Sequence, residues 1–101
     1  GDNHLTGVTV DRGNNTEDIN LDGLFVEIGS TPNNGLLQQL GGTVNEGGYI
    51  VVDGTQTTTI PGVWAAGDVT TSSNGLRQIV TACSEGAIAA DSIFKFLQQQ
   101  T

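Results

Sequence analysis

The alternation of apolar and polar residues near the start of the chain predicts a β-hairpin. The first strand is predicted over Leu5–Arg12 and the second over Thr16–Leu21, with Gly13-Asn14-Asn15 as the turn between them. Successive side chains of a strand point to opposite faces, so alternation gives each strand one apolar face, and Gly and Asn favour turns. The largely apolar run Gly23–Gly29 predicts a third strand.

The middle of the chain predicts a short helix and two further strands. Asn34 is the candidate N-cap of a leucine-containing helix that stops at Gly41-Gly42. A strand is predicted over Tyr49–Asp53, and another over Val63–Ala66 after the turn signal Pro61-Gly62. The last of these has no alternation, which is typical of a strand covered on both faces.

The final third of the chain predicts one long amphipathic helix, under which Trp64 would pack. Ser73 or Asn74 is its candidate N-cap. Gly86 inside it would cost about 1 kcal/mol relative to Ala, so we expect close packing there. Apolar residues recur at steps of three and four, and we expect the stripe that they form to be buried. This stripe consists of Ile79, Val80, Cys83, Ala87, Ala90, Ile93, Phe94 and Leu97.

Composition narrows the classes of partner. The 101 residues carry a net charge of −8 with only three Lys and Arg, so we expect no binding to nucleic acid, whose phosphates need basic residues. No apolar run is long enough to cross a bilayer, and we expect no membrane association. The sequence does not begin with Met, which favours a piece of a longer protein. A single cysteine excludes an intrachain disulfide and fits the cytoplasm.

Gly67-Asp68, at the end of the predicted strand Val63–Ala66, is the strongest candidate site. Ligands of α/β proteins bind at the carboxyl ends of strands, beside the N-terminus of the next helix. Small residues before Asp68 allow a planar ring to come close, and its carboxylate can accept hydrogen bonds from ligand hydroxyls. The alternatives are that Asp68 only caps a loop and that the next helix is an ordinary amphipathic one.

Cys83 has two interpretations, a redox thiol and a small packing residue. It lies on the apolar stripe of the predicted helix and has no second cysteine to pair with. Because a free cysteine commonly behaves as a small buried apolar residue, we expect a packing role.

Three segments resemble motifs of the thioredoxin reductase-like FAD-dependent pyridine nucleotide-disulfide oxidoreductases. They are GLFVEIGSTPNN at 23–34, TTTIPGVWAAGDV at 57–69 and LRQIVTACSEGAIAA at 76–90. The resemblance implies an α/β chain, a fragment of a FAD/NAD(P)-binding Rossmann-like three-layer fold with an antiparallel β-meander portion and a long C-terminal helix. It implies that residues 1–31 are the tail of the NAD(P)H-binding domain, with the hairpin and its last strand, and residues 32–101 the C-terminal part of the FAD-binding domain.

The resemblance also implies a cofactor site and an electron path. Gly67-Asp68 would bind the ribityl chain of FAD, and the backbone of Arg77, Gln78 and Ile79 would contact the flavin ring. The complete enzyme would use FAD and NAD(P)H, would reduce a thioredoxin-like protein or another disulfide acceptor, and would be a cytoplasmic homo-oligomer, commonly a homodimer.

Departures from the family pattern limit what this chain can do alone. It contains neither a G-x-G-x-x-G phosphate loop nor the C-x-x-C redox pair, so we assign no catalytic residue and expect the isolated chain to be inactive. The loop Thr70–Leu76 is slightly long for the family. Two alternatives stay open: a ferredoxin–NADP reductase-like or peroxiredoxin-reductase-like enzyme, and a non-catalytic fragment that associates with itself.

Overall fold

A computed structural model describes residues 3–100 of the chain. Residues 1, 2 and 101, which belong to the predicted segments 1–31 and 32–101, lie outside this range. The regular elements are strands β1 (Gly7–Asp11) and β2 (Thr16–Asn20), helix α1 (Gly35–Gln39), a 3-10 turn (Ser73–Gly75) and helix α2 (Ile79–Gln99).

The predicted hairpin is confirmed. Strands β1 and β2 pair antiparallel, with Gly7 opposite Asn20 at one end and Asp11 opposite Thr16 at the other. The turn is closed by a hydrogen bond from the Arg12 N–H to the Asn15 carbonyl at 2.9 Å. The hairpin side chains are largely exposed, so alternation here fixes the pairing without building a core.

The predicted strand Gly23–Gly29 is not formed, since this segment has no regular structure. Its side chains are open to solvent, with Phe25 94% and Ile28 93% exposed. A strand needs a neighbour for its N–H and C=O groups, and the described residues provide none for this segment. Its apolar sequence is therefore left uncovered.

The predicted strands Tyr49–Asp53 and Val63–Ala66 are reduced to isolated bridges. Ile50 carries the parallel one, opposite Thr70, and it donates its N–H to the Val69 carbonyl at 2.8 Å. The others are antiparallel and follow the chain in order, as in a β-meander: Val44 with Ile50, Val52 with Thr58, and Thr57 with Trp64.

Helix α1 is as short as its glycine stop predicts. Asn34 occupies the N-cap position but makes no side-chain cap bond, and its amide instead donates to the Gly48 carbonyl at 2.5 Å. Gly41, at φ +78°, adopts a left-handed conformation that suits glycine after a helix. A side chain on Gly42 would collide with Leu37, so the glycine allows this leucine to be buried at 4% exposure.

The long C-terminal helix is confirmed, but its start differs from the prediction. The N-cap is Gln78, whose backbone N–H donates to the Thr81 hydroxyl at 3.1 Å. Ser73 and Asn74, the predicted caps, have φ of +51° and +52° and belong to the preceding turn. Together with Gly75, at φ +74°, they form three residues of left-handed backbone before the helix.

The predicted burial of the apolar stripe on α2 is wrong within this chain. Ile79 is 86% and Val80 72% exposed, and Cys83 is exposed as well. The helix instead turns Glu85 and Ala89 toward the preceding loops, and both are buried. Periodicity identifies an apolar face but not what covers it, and the described residues pack against a different side of the helix.

The expected position of Trp64 under the helix is confirmed, whereas close packing at Gly86 is not. The Trp64 and Phe96 rings meet edge to face at 5.1 Å between centroids. The Trp64 indole N–H donates to the Ser92 hydroxyl at 3.1 Å. A side chain at Gly86 would meet nothing within 4 Å.

The described chain is elongated, with extents of 65 × 26 × 24 Å and a radius of gyration of 20.2 Å. A compact chain of this length has a radius of gyration of about 13 Å. Among residues 3–100 the fully buried apolar residues are Leu37, Ile50 and Ala89. These residues do not enclose a core of the usual size.

We expect the isolated 101-residue chain to associate with itself, because the outer face of α2 and the segment 24–28 expose large apolar side chains. Sedimentation analysis should show dimers or larger species. Phe94→Glu, on the exposed apolar face, should reduce association, whereas the matched change Ser84→Glu, elsewhere on the helix, should not. A compact monomer that unfolds cooperatively at high concentration would contradict this expectation.

Candidate functional site

Gly67 shapes the chain at the candidate site. Its φ of +89° lies in the left-handed region, where a side chain is strained. Its carbonyl accepts the Thr70 N–H at 3.0 Å, which closes a tight turn directly around Asp68. A Cβ on Gly67 would lie 3.7 Å from the Ala82 methyl group of α2, an ordinary contact, so glycine is required here by conformation and not by space.

Arg77 connects this turn to the start of helix α2. Its Nε donates to the Asp68 carbonyl and one terminal nitrogen to the Gly75 carbonyl, both at 3.3 Å. The guanidinium carbon also lies 3.7 Å from the centre of the Tyr49 ring, a cation–π contact. Arg77 therefore holds the Asp68 backbone and leaves the Asp68 carboxylate free.

The Asp68 side chain is exposed, and no group within residues 3–100 donates to its carboxylate. Gln78 caps α2, so the helix begins shortly after the Arg77 anchor. The first N–H groups of a helix have no intrahelical acceptor. Here a capping box between Gln78 and Thr81 takes up the N–H groups of these two residues, which leaves those of Ile79 and Val80. The site therefore offers a free carboxylate acceptor and, next to it along the chain, two amide donors at the positive end of the helix dipole.

The structure brings the five predicted site residues into one short region. Arg77 donates to the carbonyl of Asp68, which directly follows Gly67, and Gln78 and Ile79 open the helix that Arg77 leads into. Ile79 is 86% exposed, so its contribution to this surface is its backbone and an uncovered apolar side chain.

Glu85, which the sequence interpretation missed, joins α2 to this region. It is 4% exposed. Its Oε2 accepts the Gly67 N–H at 2.7 Å and the Thr70 hydroxyl at 3.0 Å, and its Oε1 accepts the Ser73 hydroxyl at 2.5 Å. The signal that was available is a glutamate with small residues one turn away on each side, at Ala82 and Ala89, which permits close approach of the helix.

The residues just before α2 form a left-handed turn. Ser73, Asn74 and Gly75 all have positive φ, at 51°, 52° and 74°. Hydrogen bonds from the Gly75 N–H to the Ser72 carbonyl and from the Leu76 N–H to the Ser73 carbonyl, both at 3.0 Å, close it. Left-handed backbone at a residue with a Cβ costs about 1–2 kcal/mol, so neighbouring contacts must hold this turn.

Gln56 supports the same turn from the other side. It is 2% exposed with φ +63°, and its amide donates to the Ser72 hydroxyl at 2.8 Å. Its backbone carbonyl accepts the Ala65 N–H at 3.1 Å, which ties it to the segment that leads into Gly67. Its side-chain oxygen has no partner in the described part of the chain.

The loop that presents Gln56 is organised by Asp53. Its carboxylate accepts the Thr55 hydroxyl at 2.6 Å, the Thr55 N–H at 2.8 Å and the Thr57 N–H at 3.1 Å. These bonds, those from Thr55 first, hold the pKa of Asp53 below its ordinary value. A depressed pKa stabilises the folded loop above the unfolded-state pKa, and this stabilisation is lost as the pH falls through the folded-state value.

Neither a metal-binding cluster nor a membrane-spanning helix is found within residues 3–100. No cluster of three or more His, Cys, Asp or Glu is placed to hold a metal ion. No helix in the same range is long and apolar enough to cross a membrane.

Comparison with known proteins places this geometry in a family. The family model described as pyridine nucleotide-disulphide oxidoreductase matches residues 1–86. The F subunit of alkyl hydroperoxide reductase in Staphylococcus aureus strain MRSA252 is 40% identical over 99 residues, which are 96% of this chain and 19% of that protein. Its counterpart in strain Mu50 is 39% identical over an equal length.

Solved structures agree with this result. Thioredoxin reductase of T. acidophilum superimposes with a TM-score of 0.79 at 39% identity, covering 89% of this chain and 30% of that one. Thioredoxin reductase of Lactococcus lactis gives 0.73 at 33% identity, covering 87% and 28%. The predicted fold class is confirmed, and the chain spans about a fifth of its curated relatives (19%) and about a third of these structures.

Gly67→Ala should destabilise the folded state by about 1–2 kcal/mol, since alanine must adopt the left-handed conformation. Gly86→Ala is the matched control and should be neutral or stabilising by up to about 1 kcal/mol, because its Cβ meets nothing and alanine favours a helix. Thermal unfolding followed by circular dichroism, at one fixed protein concentration, measures both. Equal effects of the two substitutions would show that the conformation of Gly67 is not constrained.

Proposed function

Since this chain belongs to the pyridine nucleotide-disulphide oxidoreductase family, we propose that it forms the FAD-contacting C-terminal segment of a thioredoxin reductase-like flavoprotein. The complete protein would pass electrons from NAD(P)H through FAD to a disulfide acceptor. The observation that carries this proposal is the free, exposed Asp68 carboxylate, held by the backbone beside the start of helix α2.

The Asp68 carboxylate suits the ribityl chain of FAD. It has acceptor oxygens that no described group occupies, and sugar-like hydroxyls are donors. A charge-assisted hydrogen bond of this kind is roughly twice as strong as a neutral one. The turn around Gly67 fixes the Asp68 backbone, so only the freedom of its side chain is lost when the carboxylate binds its partner.

The start of helix α2 suits the polar edge of the flavin ring. A reduced flavin is negatively charged near N1 and the C2 carbonyl, and free N–H groups at a positive helix end stabilise such charge. The Arg77 guanidinium is already engaged by two carbonyls and Tyr49. This supports a contribution from the backbone of residues 77–79, with the Arg77 side chain as its anchor.

Bound FAD would supply the electron transfer itself, and this segment would bind and orient it. No residue of the chain is assigned a covalent or proton-transfer step, because the C-x-x-C pair and both phosphate-binding loops are absent from the sequence. We therefore propose that the isolated chain is inactive.

The proposed domain division is residues 1–31 in the NAD(P)H-binding domain and residues 32–101 in the FAD-binding domain. The exposed apolar run 24–28 supports it, because such a run needs neighbouring strands that residues 3–100 do not provide. The exposed apolar face of α2 supports it in the same way. We assign Cys83, which lies on that face, to packing in the complete enzyme.

The disulfide acceptor is proposed to be a thioredoxin-like protein, with a peroxiredoxin-type protein as the second candidate. Likeness to thioredoxin reductase structures favours the first. The 40% identity to a component of an alkyl hydroperoxide reductase favours the second. The two candidates are distinguished by testing which disulfide protein oxidises the reduced enzyme. We further propose that the complete enzyme is a cytoplasmic homodimer.

In the full-length protein, Asp68→Ala should weaken FAD binding about 10- to 100-fold. The ribityl hydroxyls lose a charged acceptor, a contact of about 1.5–3 kcal/mol. Flavin fluorescence during FAD titration of the apoprotein gives the dissociation constant. The matched control is Asp91→Ala, which removes an exposed carboxylate paired with Lys95 at 2.7 Å and should leave FAD affinity unchanged. Equal FAD affinity of the Asp68→Ala and Asp91→Ala variants would contradict the assignment of the ribityl contact.

Cys83→Ala in the same full-length protein should leave turnover nearly unchanged, since its assigned role is packing. Loss of turnover on replacing Cys83, with the fold intact, would establish a redox role instead.

A further inference from the structure

We infer that Glu85 is a positioning residue that fixes the separation between Asp68 and the start of helix α2. The inference rests on the proposed function, in which these two places bind the two ends of one ligand, the ribityl chain and the ring of a flavin. Glu85 does not itself belong to the exposed surface, since it is 4% exposed.

Each carboxylate oxygen of Glu85 holds a different segment. Oε2 accepts the Gly67 N–H at 2.7 Å, directly before Asp68. Oε1 accepts the Ser73 hydroxyl at 2.5 Å, in the turn that leads to the helix. A single rigid, planar group therefore spans both ends of the loop 67–73 and attaches them to the second turn of α2.

The geometry of α2 brings this carboxylate close to the loop. Ala82 lies one turn before Glu85 and Ala89 one turn after it, and a Cβ on Gly67 would lie 3.7 Å from the Ala82 methyl group. Small side chains at these places let the helix and loop backbones approach, so the glutamate side chain reaches a backbone N–H.

The left-handed turn at Ser73 and Asn74 is a strained segment that the Glu85 contact can stabilise. Ser73 and Asn74 have φ of +51° and +52°, a conformation that persists only where its surroundings enforce it. The Ser73 side chain is held by Glu85, and the neighbouring Ser72 hydroxyl is held by the buried Gln56 amide. Loss of the Glu85 contact leaves the turn to Gln56 and to the Arg77 bonds with the Asp68 and Gly75 carbonyls. We expect it then to relax, with a shift of the helix start at Gln78 relative to Gly67.

A truncated Glu85 also leaves a half-buried donor unsatisfied. The Gly67 N–H has no other acceptor in the described residues, and an unpaired N–H shielded from water is costly. The chain is then expected to move this N–H toward water, and with it Asp68. Glutamine keeps one acceptor oxygen but turns the other into a donor, so it preserves part of the arrangement.

Three variants of the full-length protein test the inference: Glu85→Ala, Glu85→Gln and Ser92→Ala. Ser92→Ala is the matched control because it also removes a half-buried contact of α2, the hydrogen bond from Trp64 at 3.1 Å, but touches neither Gly67 nor Ser73. FAD affinity, the visible absorption bands of the bound flavin and the melting temperature are measured for each.

Glu85→Ala should weaken FAD binding at least about tenfold and shift the flavin absorption bands, and Glu85→Gln should restore part of both. Ser92→Ala should lower the melting temperature with affinity and bands unchanged. The inference is overturned if Glu85→Ala keeps normal affinity and bands, or if affinity falls in all three variants only in proportion to stability. A wild-type protein that binds no FAD would instead overturn the proposed function, and the inference with it.

Discussion

The buried Glu85 carboxylate is the interaction on which the local structure of this chain depends. A carboxylate removed from water is unfavourable unless donors surround it, and this one has a backbone N–H and two hydroxyls. The donors come from a tight turn at Gly67 and a left-handed turn at Ser73, which this one carboxylate joins to the helix. The helix, the turn and the strained loop therefore form one unit, and the exposed Asp68 carboxylate is carried on it.

Helix α2 explains why the chain is elongated and mostly open. Its inner face is small and polar and packs on the chain's own loops through Glu85 and Ala89. A second face, with Ile79, Val80 and Phe94, is apolar and exposed. A helix with two sides suited to burial belongs in a layer between two others. Within residues 3–100 only one of those sides is covered.

The sequence pattern predicted correctly those elements that are stabilised by interactions between residues close in the chain. Alternation and the Gly-Asn turn were sufficient for the hairpin because its two strands satisfy each other. The strand expected over Gly23–Gly29 failed because its hydrogen bonds need a neighbour that the described residues do not supply. The N-cap is Gln78 and not Ser73 or Asn74 because an N-cap residue needs extended backbone, whereas Ser73 and Asn74 lie in a left-handed turn whose Ser73 hydroxyl bonds the sequence-distant Glu85.

The position of the candidate site was predictable from the sequence, but the buried polar residues that hold its loops in place were not. Strand-end glycine and aspartate followed by a helix indicated Gly67, Asp68 and the start of α2 from order along the chain alone, and their ligand contacts stay a prediction. Gln56 and Glu85 are polar residues whose burial depends on tertiary contacts across 16 and 18 residues. A charged residue in a helix usually indicates a solvated face, so pattern alone assigns Glu85 to the surface.

If the Asp68 carboxylate and the first turn of α2 contact a flavin together, a crystal structure of the full-length protein with FAD bound will show both contacts. We expect a ribityl hydroxyl within hydrogen-bond distance of the Asp68 carboxylate, and the N–H groups at the start of α2 directed at the N1 and C2-carbonyl edge of the ring. A flavin bound elsewhere, with Asp68 and the start of α2 both open to solvent, would show that these two places do not form the flavin site.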